Sequence, residues 1–169
     1  MAWRPICSTG VVEVDAKRLR VAWTGAGIAF VDDATPTAKR LMAKRLKMEL
    51  IEAQVPAKIR AALVKAAKRP GGDDVPIDLS WARDYERDVL LAARTIPWGE
   101  TRPYSWLARE ARRPRAVRAA ASAIARNPLW FLVPWHRVVY KETKGKTPAT
   151  AFAKRKQQLL ARELRTSKT

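Results

Sequence analysis

Apolar and polar residues alternate along residues 11–33, which is the period of a half-buried β-strand. Three such runs, "VVEVD", "LRVAW" and "GIAFVDD", are separated by "AKR" and "TGA", which have turn or loop character. We therefore predict a three-stranded antiparallel sheet in this part of the chain.

The hydrophobic period then becomes helical. Residues 37–50 place Met42, Leu46 and Leu50 four apart, so a helix would carry them on one face. A second helix is predicted over residues 56–69, which open with a proline and end before "PGG".

The segment "RPGGDD" is the strongest internal boundary and predicts an N-terminal domain, 1–75, and a C-terminal domain, 76–169. Thr101 is the expected N-cap of a helix in the C-terminal domain. Helices are predicted there over residues 82–96, 101–113 and 115–126 and in "AFAKRKQQLLARELR". The expected fold class is α+β: a small antiparallel three-stranded sheet with helices in the N-terminal half, and a mostly helical C-terminal domain containing a helix-turn-helix.

Charge is the first indication of function. The chain has 34 Lys and Arg against 16 Asp and Glu, a net charge of +18. So large an excess suits a polyanionic partner, with nucleic acid first and an anionic membrane surface second. No apolar run approaches the ~20 residues that span a bilayer, and "MAWRPICSTG" lacks the hydrophobic stretch of a signal peptide. An intracellular location, in the cytoplasm or nucleoid, is expected.

Cys7 is the only cysteine in the chain, so it forms no internal disulfide and no cysteine-based zinc cluster. We expect neither a metal nor a cofactor. Cys7 itself is interpreted as a small apolar residue, because no histidine lies near it in sequence to stabilise a thiolate.

The predicted helix over residues 115–126 combines Arg115, Arg118 and Arg126 with a strip of alanines. Small side chains allow a helix to approach a surface closely, and arginines contact phosphates or enter a groove. The pattern alone favours an alanine-rich helix packed in the core with its arginines in water. The helix-turn-helix context and the net charge make the two interpretations equally supported.

The segment from Ile96 to Val139 reads "IPWGETRPYSWLAREARRPRAVRAAASAIARNPLWFLVPWHRVV". It resembles the C-terminal domain of the O6-alkylguanine-DNA alkyltransferases, whose pattern is IPxGxxxxYxxLA, a helix with a groove-inserted arginine, then NP, six residues and CHRV. The resemblance extends over more than forty residues in the same order and spacing. The N-terminal half is similar to the same family more loosely.

One position departs from the family pattern. Trp135 stands where the transferases carry the cysteine that accepts the alkyl group, and an indole nitrogen has no usable lone pair. We therefore expect no enzymatic activity. A tryptophan at this position is typical of the alkyltransferase-like proteins. That resemblance implies a monomer that binds duplex DNA through the minor groove, flips O6-alkylguanine into a pocket and passes it to nucleotide excision repair proteins.

The resemblance also implies roles for individual residues. Tyr104 would help rotate the target nucleotide, Arg118 would fill the space that the flipped base leaves, and His136 would orient a network with Glu163. Arg137 is expected to tie the motif to neighbouring carbonyls. The full implied lesion pocket is Tyr104, Asn127, Pro134, Trp135, His136, Glu163 and Lys146, and the implied DNA contacts are Tyr104, Arg115, Arg118 and Arg126.

The loop after the His-Arg motif also departs from the family. A Ser-Gly-Gly turn is replaced by "TPATAF", with Ala151 and Phe152 at the glycine positions, which changes the expected pocket shape. Lys146, or Lys144 in its place, is the expected basic contact from this loop.

Two other functions remain open on the sequence. One is a general basic DNA-binding protein whose pocket is vestigial, and the other is a base-modifying enzyme that uses His136 with Glu163. Lesion preference at fixed salt distinguishes the first from a damage sensor, because phosphate contacts alone confer no such preference.

Overall fold

The computed structural model describes residues 5–71, 75–140 and 151–166, apart from the side chains of residues 151 and 152. The chain has the expected α+β class and forms two compact units. The first contains residues 1–83 and 128–133, and the second contains residues 84–127 and 134–169.

A four-stranded sheet forms the first unit. Its strands are β1 (Ile6–Val14), β2 (Lys17–Thr24), β3 (Gly27–Asp33) and β4 (Glu49–Glu52), in the order β3-β2-β1-β4. The first three pair antiparallel in sequence order, as the alternating pattern predicts. The sheet is nevertheless mixed, because β4 pairs parallel to β1.

Strand β4 occupies a part of the chain where the sequence predicted helix. Helix α1 spans Pro36–Leu46 and ends there because Lys47 adopts a left-handed conformation, with φ 53°, and its N–H bonds to the carbonyl of Ala43. Met42 and Leu50 do share one apolar cluster, although they reach it from two different elements. The prediction of a single helix over residues 37–50 was therefore wrong at its C-terminal end.

The compact units also divide the chain differently from the predicted boundary at residues 75 and 76. Ile77 forms a bridge with Ile28 of β3, and the N–H of Asp78 bonds to the Ile28 carbonyl at 2.9 Å. The buried segment 128–133 joins the same unit through a 2.9 Å bond from the Val31 N–H to the Pro128 carbonyl. Backbone pairing with β3 thus assigns both segments to the first unit.

The remaining elements are mostly helical. Helix α2 (Ala57–Lys68) completes the first unit. The second unit contains α3 (Asp84–Arg94), β5 (Arg102–Pro103), α4 (Tyr104–Glu110), α5 (Val117–Ala125), a 3-10 helix (Trp135–Arg137), β6 (Val138–Val139) and α6 (Ala151–Thr166). Among the described residues, no helix combines the length and apolar character needed to cross a membrane.

Helix α4 begins three residues later than predicted. Residues 102 and 103 pair in parallel with Val138 and Val139, so they are extended, and Thr101 cannot act as the N-cap. Pro103 takes the N-cap position without a side-chain hydrogen bond. The β5–β6 pair thereby brings the start of α4 beside the residues that follow the 3-10 helix.

Candidate nucleic-acid interface

The 3-10 helix holds His136 against α6. The Nε2 atom of His136 lies 2.5 Å from Oε1 of Glu163, and both side chains are buried. A carboxylate only accepts, so in this pair the His136 ring donates through Nε2. The sequence-based pairing of these two residues is therefore present in the structure, and it fixes the orientation of the imidazole.

Arg137 shares the same carboxylate. Its Nε donates to both Glu163 oxygens, at 3.2 and 3.0 Å, and its guanidinium also donates to the Ile96 carbonyl at 2.6 Å. The Gly99 N–H adds a 3.0 Å bond to Oε2 of Glu163. The network thus links α6, the 3-10 helix and the segment after α3, and Arg137 makes the carbonyl contact that the sequence predicted.

The carboxylate of Glu163 is subject to two opposing effects. Burial raises its pKa, but hydrogen bonds from His136, Arg137 and the Gly99 N–H lower it further, so the net pKa lies below its ordinary value. Glu163 therefore remains ionised at neutral pH, and its charge is matched by the Arg137 guanidinium. The network therefore fixes the positions of His136, Arg137 and Glu163 relative to one another.

Trp135 lies at the start of this 3-10 helix and is 4% exposed. Its ring meets the His136 ring edge to face, with centroids 6.0 Å apart and an interplanar angle of 82°. Pro134, directly before it, is also buried. In this state a nucleobase reaches the indole only if the side chains that cover it move.

Tyr104 belongs to a separate aromatic cluster. Its ring centroid is 4.8 Å from that of Tyr140, and Nζ of Lys156 lies 5.6 Å from the Tyr104 centroid. Lys156 also donates to the Val138 carbonyl. Burial raises the pKa of Tyr104 to about 12 and lowers that of Lys156 to about 8.

Helix α5 presents its arginines to solvent. Arg118 and Arg126 are exposed, whereas Ala120, Ala123 and Ile124 are buried. The two open interpretations of this helix are each partly present, because two of its five alanines are buried and two are exposed. The outer face still combines arginine with small residues, which permits a close approach to a nucleic acid backbone.

The other predicted site residues are dispersed. Arg115 is exposed in the turn between α4 and α5. Asn127 is half-buried. It is the last residue of the segment 84–127, after which residues 128–133 belong to the first unit. Lys146 and Lys144 lie outside the described residues. The structure thus joins His136 to Trp135 and Glu163, but places Tyr104 with other partners.

Sequence reasoning missed Lys156 and Tyr140. Lys156 stands seven residues before Glu163, a spacing that puts both on one face of a helix and could have indicated it. Tyr140 had no such local signal, because its contact with Tyr104 depends on the pairing of β5 with β6.

Positive charge is concentrated in the second unit. That unit carries 19 of the 34 Lys and Arg residues but only seven of the 16 Asp and Glu residues, which gives +12 of the total +18. A unit of this charge attracts a polyanion strongly at low salt.

Known proteins are similar to parts of this chain. The family model described as "6-O-methylguanine DNA methyltransferase, DNA binding domain" matches residues 84–165. The methylated-DNA–protein-cysteine methyltransferase of Mycolicibacterium paratuberculosis is 40% identical over 94 residues, covering 56% of this chain and 56% of that protein. The bifunctional transcriptional activator/DNA repair enzyme Ada of Escherichia coli is 37% identical over 108 residues, covering 62% of this chain and 29% of that protein.

A solved structure resembles most of the chain. The crystal structure of Mycobacterium tuberculosis OGT in complex with DNA superposes with a TM-score of 0.65 and 26% identity, covering 94% of this chain and 93% of that chain. The matches to the two curated relatives span only about half of one and less than a third of the other. Residues 84–165 are therefore similar to the DNA-binding domain of the 6-O-methylguanine DNA methyltransferases.

Proposed function

We propose that this protein is a non-enzymatic sensor of DNA damage. It binds duplex DNA through the minor groove, turns an O6-alkylguanine out of the helix toward Trp135 and marks the lesion for nucleotide excision repair proteins. The observation that carries the proposal is Trp135 itself. An indole stands directly before a fully assembled His136–Glu163–Arg137 network, where alkyl transfer would require a sulfur nucleophile.

Trp135 itself cannot replace that nucleophile. An indole N–H is a donor without a usable lone pair. The only thiol of the chain, Cys7, is buried in β1 of the first unit, and burial raises its pKa to about 11. A thiolate is therefore scarce at neutral pH, and the intact network around His136 serves to hold the site in shape.

The charge distribution supports DNA as the partner. The second unit carries a net charge of +12, and Arg118 in α5 and Arg126 directly after it are exposed. The M. tuberculosis protein that superposes on this chain was crystallised in complex with DNA. In the proposed complex Arg118 fills the gap left by the everted base, where its planar guanidinium pairs and stacks better than an ammonium group would.

Base eversion sets an energy balance that favours lesions. Turning a nucleotide out of the duplex costs a few kcal/mol, and least for a damaged base that pairs poorly. Stacking on an aromatic ring recovers ~1–3 kcal/mol. Because Trp135 is buried, this recovery requires its cover to move when the base enters, so the lesion pocket is an induced one.

The deciding measurement is affinity for two duplexes of identical sequence, one with O6-methylguanine and one with guanine, at a single fixed salt concentration. We expect a clear preference for the lesion. A parallel incubation with methyl-labelled DNA should leave the label on the DNA and release no base. Label on the protein, or a free base, would show that the site is enzymatic.

A general basic DNA-binding function is the second candidate, and the burial of Trp135 favours it. In that case only the phosphate contacts operate, and the two duplexes bind with equal affinity. The same comparison therefore separates the two candidates, because a ratio near one leaves the sensor without support.

A further inference from the structure

Tyr140 is an aromatic side chain that the fold leaves in solvent. It is 63% exposed, at the end of β6. Tyr104, its neighbour in space, is buried. A single exposed apolar side chain needs no explanation by itself, so the case for Tyr140 depends on what supports the ring and on the charge of its unit.

Strand pairing sets the position of Tyr140. Arg102 pairs with Val138 and Pro103 pairs with Val139 in a parallel register, and the residue directly after each strand is a tyrosine. The two rings therefore meet, with centroids 4.8 Å apart and planes tilted by 50°. This arrangement lies within the range preferred by aromatic pairs.

The inner side of this pair is held firmly. Tyr104 is buried at the start of α4, and Nζ of Lys156 lies 5.6 Å from its ring centroid. Lys156 also donates a hydrogen bond to the carbonyl of Val138 in β6, two residues before Tyr140. Tyr140 thus packs against a buried, well-contacted ring and keeps much of its own surface open.

We propose that Tyr140 is a stacking platform for an unpaired nucleobase of bound DNA. An open aromatic ring accepts the π-face of any base, and the positive charge of the surrounding unit retains the attached phosphates. Trp135 is buried whereas Tyr140 is open, so the two rings receive different bases. The platform rests on the proposed function in one respect, since eversion of a lesion supplies the neighbouring unstacked base.

The test compares two single-stranded ligands that share the same phosphates: a short oligothymidylate and an oligomer of equal length made of abasic sites. Tyr140→Ala should weaken binding of the oligothymidylate by between about fivefold and 150-fold, the range expected for loss of one stacked base. Binding of the abasic oligomer should not change. Tyr140→Phe keeps the π-face and should bind both ligands as the unmodified protein does.

Tyr140→Leu separates stacking from packing. Leucine still covers Tyr104 but offers no aromatic face, so it should behave as Tyr140→Ala does. Equal losses on both oligomers, unchanged binding of the oligothymidylate, or full retention by Tyr140→Leu would each overturn the platform. If Tyr140→Ala fails to fold, the comparison of Leu with Phe gives the same decision.

This experiment is independent of lesion recognition. A protein without preference for O6-methylguanine duplex, but with base-dependent loss in Tyr140→Ala, would refute the sensor and retain the platform. Lesion preference together with unchanged oligothymidylate binding by Tyr140→Ala would retain the sensor and refute the platform.

Discussion

At the scale of single residues, Glu163 shows how a buried charge is tolerated. Its two oxygens accept bonds from His136, Arg137 and the Gly99 N–H, and the Arg137 guanidinium supplies the matching charge. A buried pair of this kind contributes less than its Coulomb energy because both ions are desolvated. Removing one partner lowers the free energy of unfolding strongly, because the other charge then remains buried without a counter-charge.

Glu163→Gln should lower the free energy of unfolding by about 3–5 kcal/mol, because it leaves the Arg137 guanidinium without a counter-charge. Urea unfolding measures this. Glu100→Gln is the matched control: Glu100 contacts Arg102 at 2.6 Å, but its side chain is 47% exposed. Its loss should stay below about 1 kcal/mol. Similar losses for the two variants would show that the buried network is not a stabilising feature.

The same residue predicts a pH dependence. The pKa of Glu163 is below its ordinary value of 4.5 in the folded protein, so the folded state binds this proton more weakly than the unfolded state does. The stabilisation is therefore fully present above that ordinary value and is lost as the pH falls through the folded pKa. The stability gap between the unmodified protein and Glu163→Gln should shrink on acidification below about pH 4.5. A gap that stays constant, or widens, would contradict this assignment.

Lys47 is a second residue whose conformation predicts stability. Its φ of 53° lies in the left-handed region, where a side chain is disfavoured and glycine is not. Lys47→Gly should therefore raise the free energy of unfolding by up to about 1 kcal/mol. Lys44→Gly, the same change inside exposed α1, should lower it by about 0.5–1 kcal/mol. Thermal or urea unfolding of both variants checks the opposite signs.

At the scale of elements, local patterns predicted local structure. Alternation over β1, β2 and β3 was sufficient because each strand pairs with its sequence neighbour. The four-residue strand β4 was missed, since it pairs with the distant β1 and its apolar Leu50 fits the helical spacing of α1. The start of α4 was misplaced for the same reason, as the β5–β6 pairing is invisible in local sequence.

Some contacts of the candidate site could likewise be predicted from the sequence, and others could not. The contact of His136 with Glu163 followed from a family resemblance, because 27 residues separate the two side chains and no local period connects them. Lys156 could be inferred from helical spacing to Glu163, whereas Tyr140 could not be inferred from any spacing. Burial of Trp135 depends on tertiary packing, which a single sequence does not specify.

Helix α5 carries a prediction of its own. Arg118 in this helix and Arg126 at its C-cap are both exposed, so they offer matched alanine substitutions. Arg118→Ala should weaken binding of O6-methylguanine duplex by about 1–3 kcal/mol more than binding of intact duplex, because only the everted state needs its guanidinium. Arg126→Ala should weaken both equally. Titrations of each variant on both duplexes measure this, and equal losses with Arg118→Ala would exclude its role as the inserted residue.

At the scale of the whole molecule, affinity and selectivity should respond differently to salt. The net charge of +18 makes phosphate contacts the main source of affinity, and these weaken steeply as counterions compete. In the proposed complex, lesion preference would come from stacking at Trp135 and pairing at Arg118, which salt screening affects far less. Raising salt from about 50 to 200 mM should therefore lower affinity for both duplexes in parallel.

The ratio between the two affinities should change by less than about threefold over that range, and titrations at several salt concentrations would measure it. Intact duplex serves as the internal control, because it reports the phosphate contacts alone. A preference that collapses toward one as salt rises would mean that the lesion is distinguished by charge. The indole at position 135 would then contribute nothing to recognition.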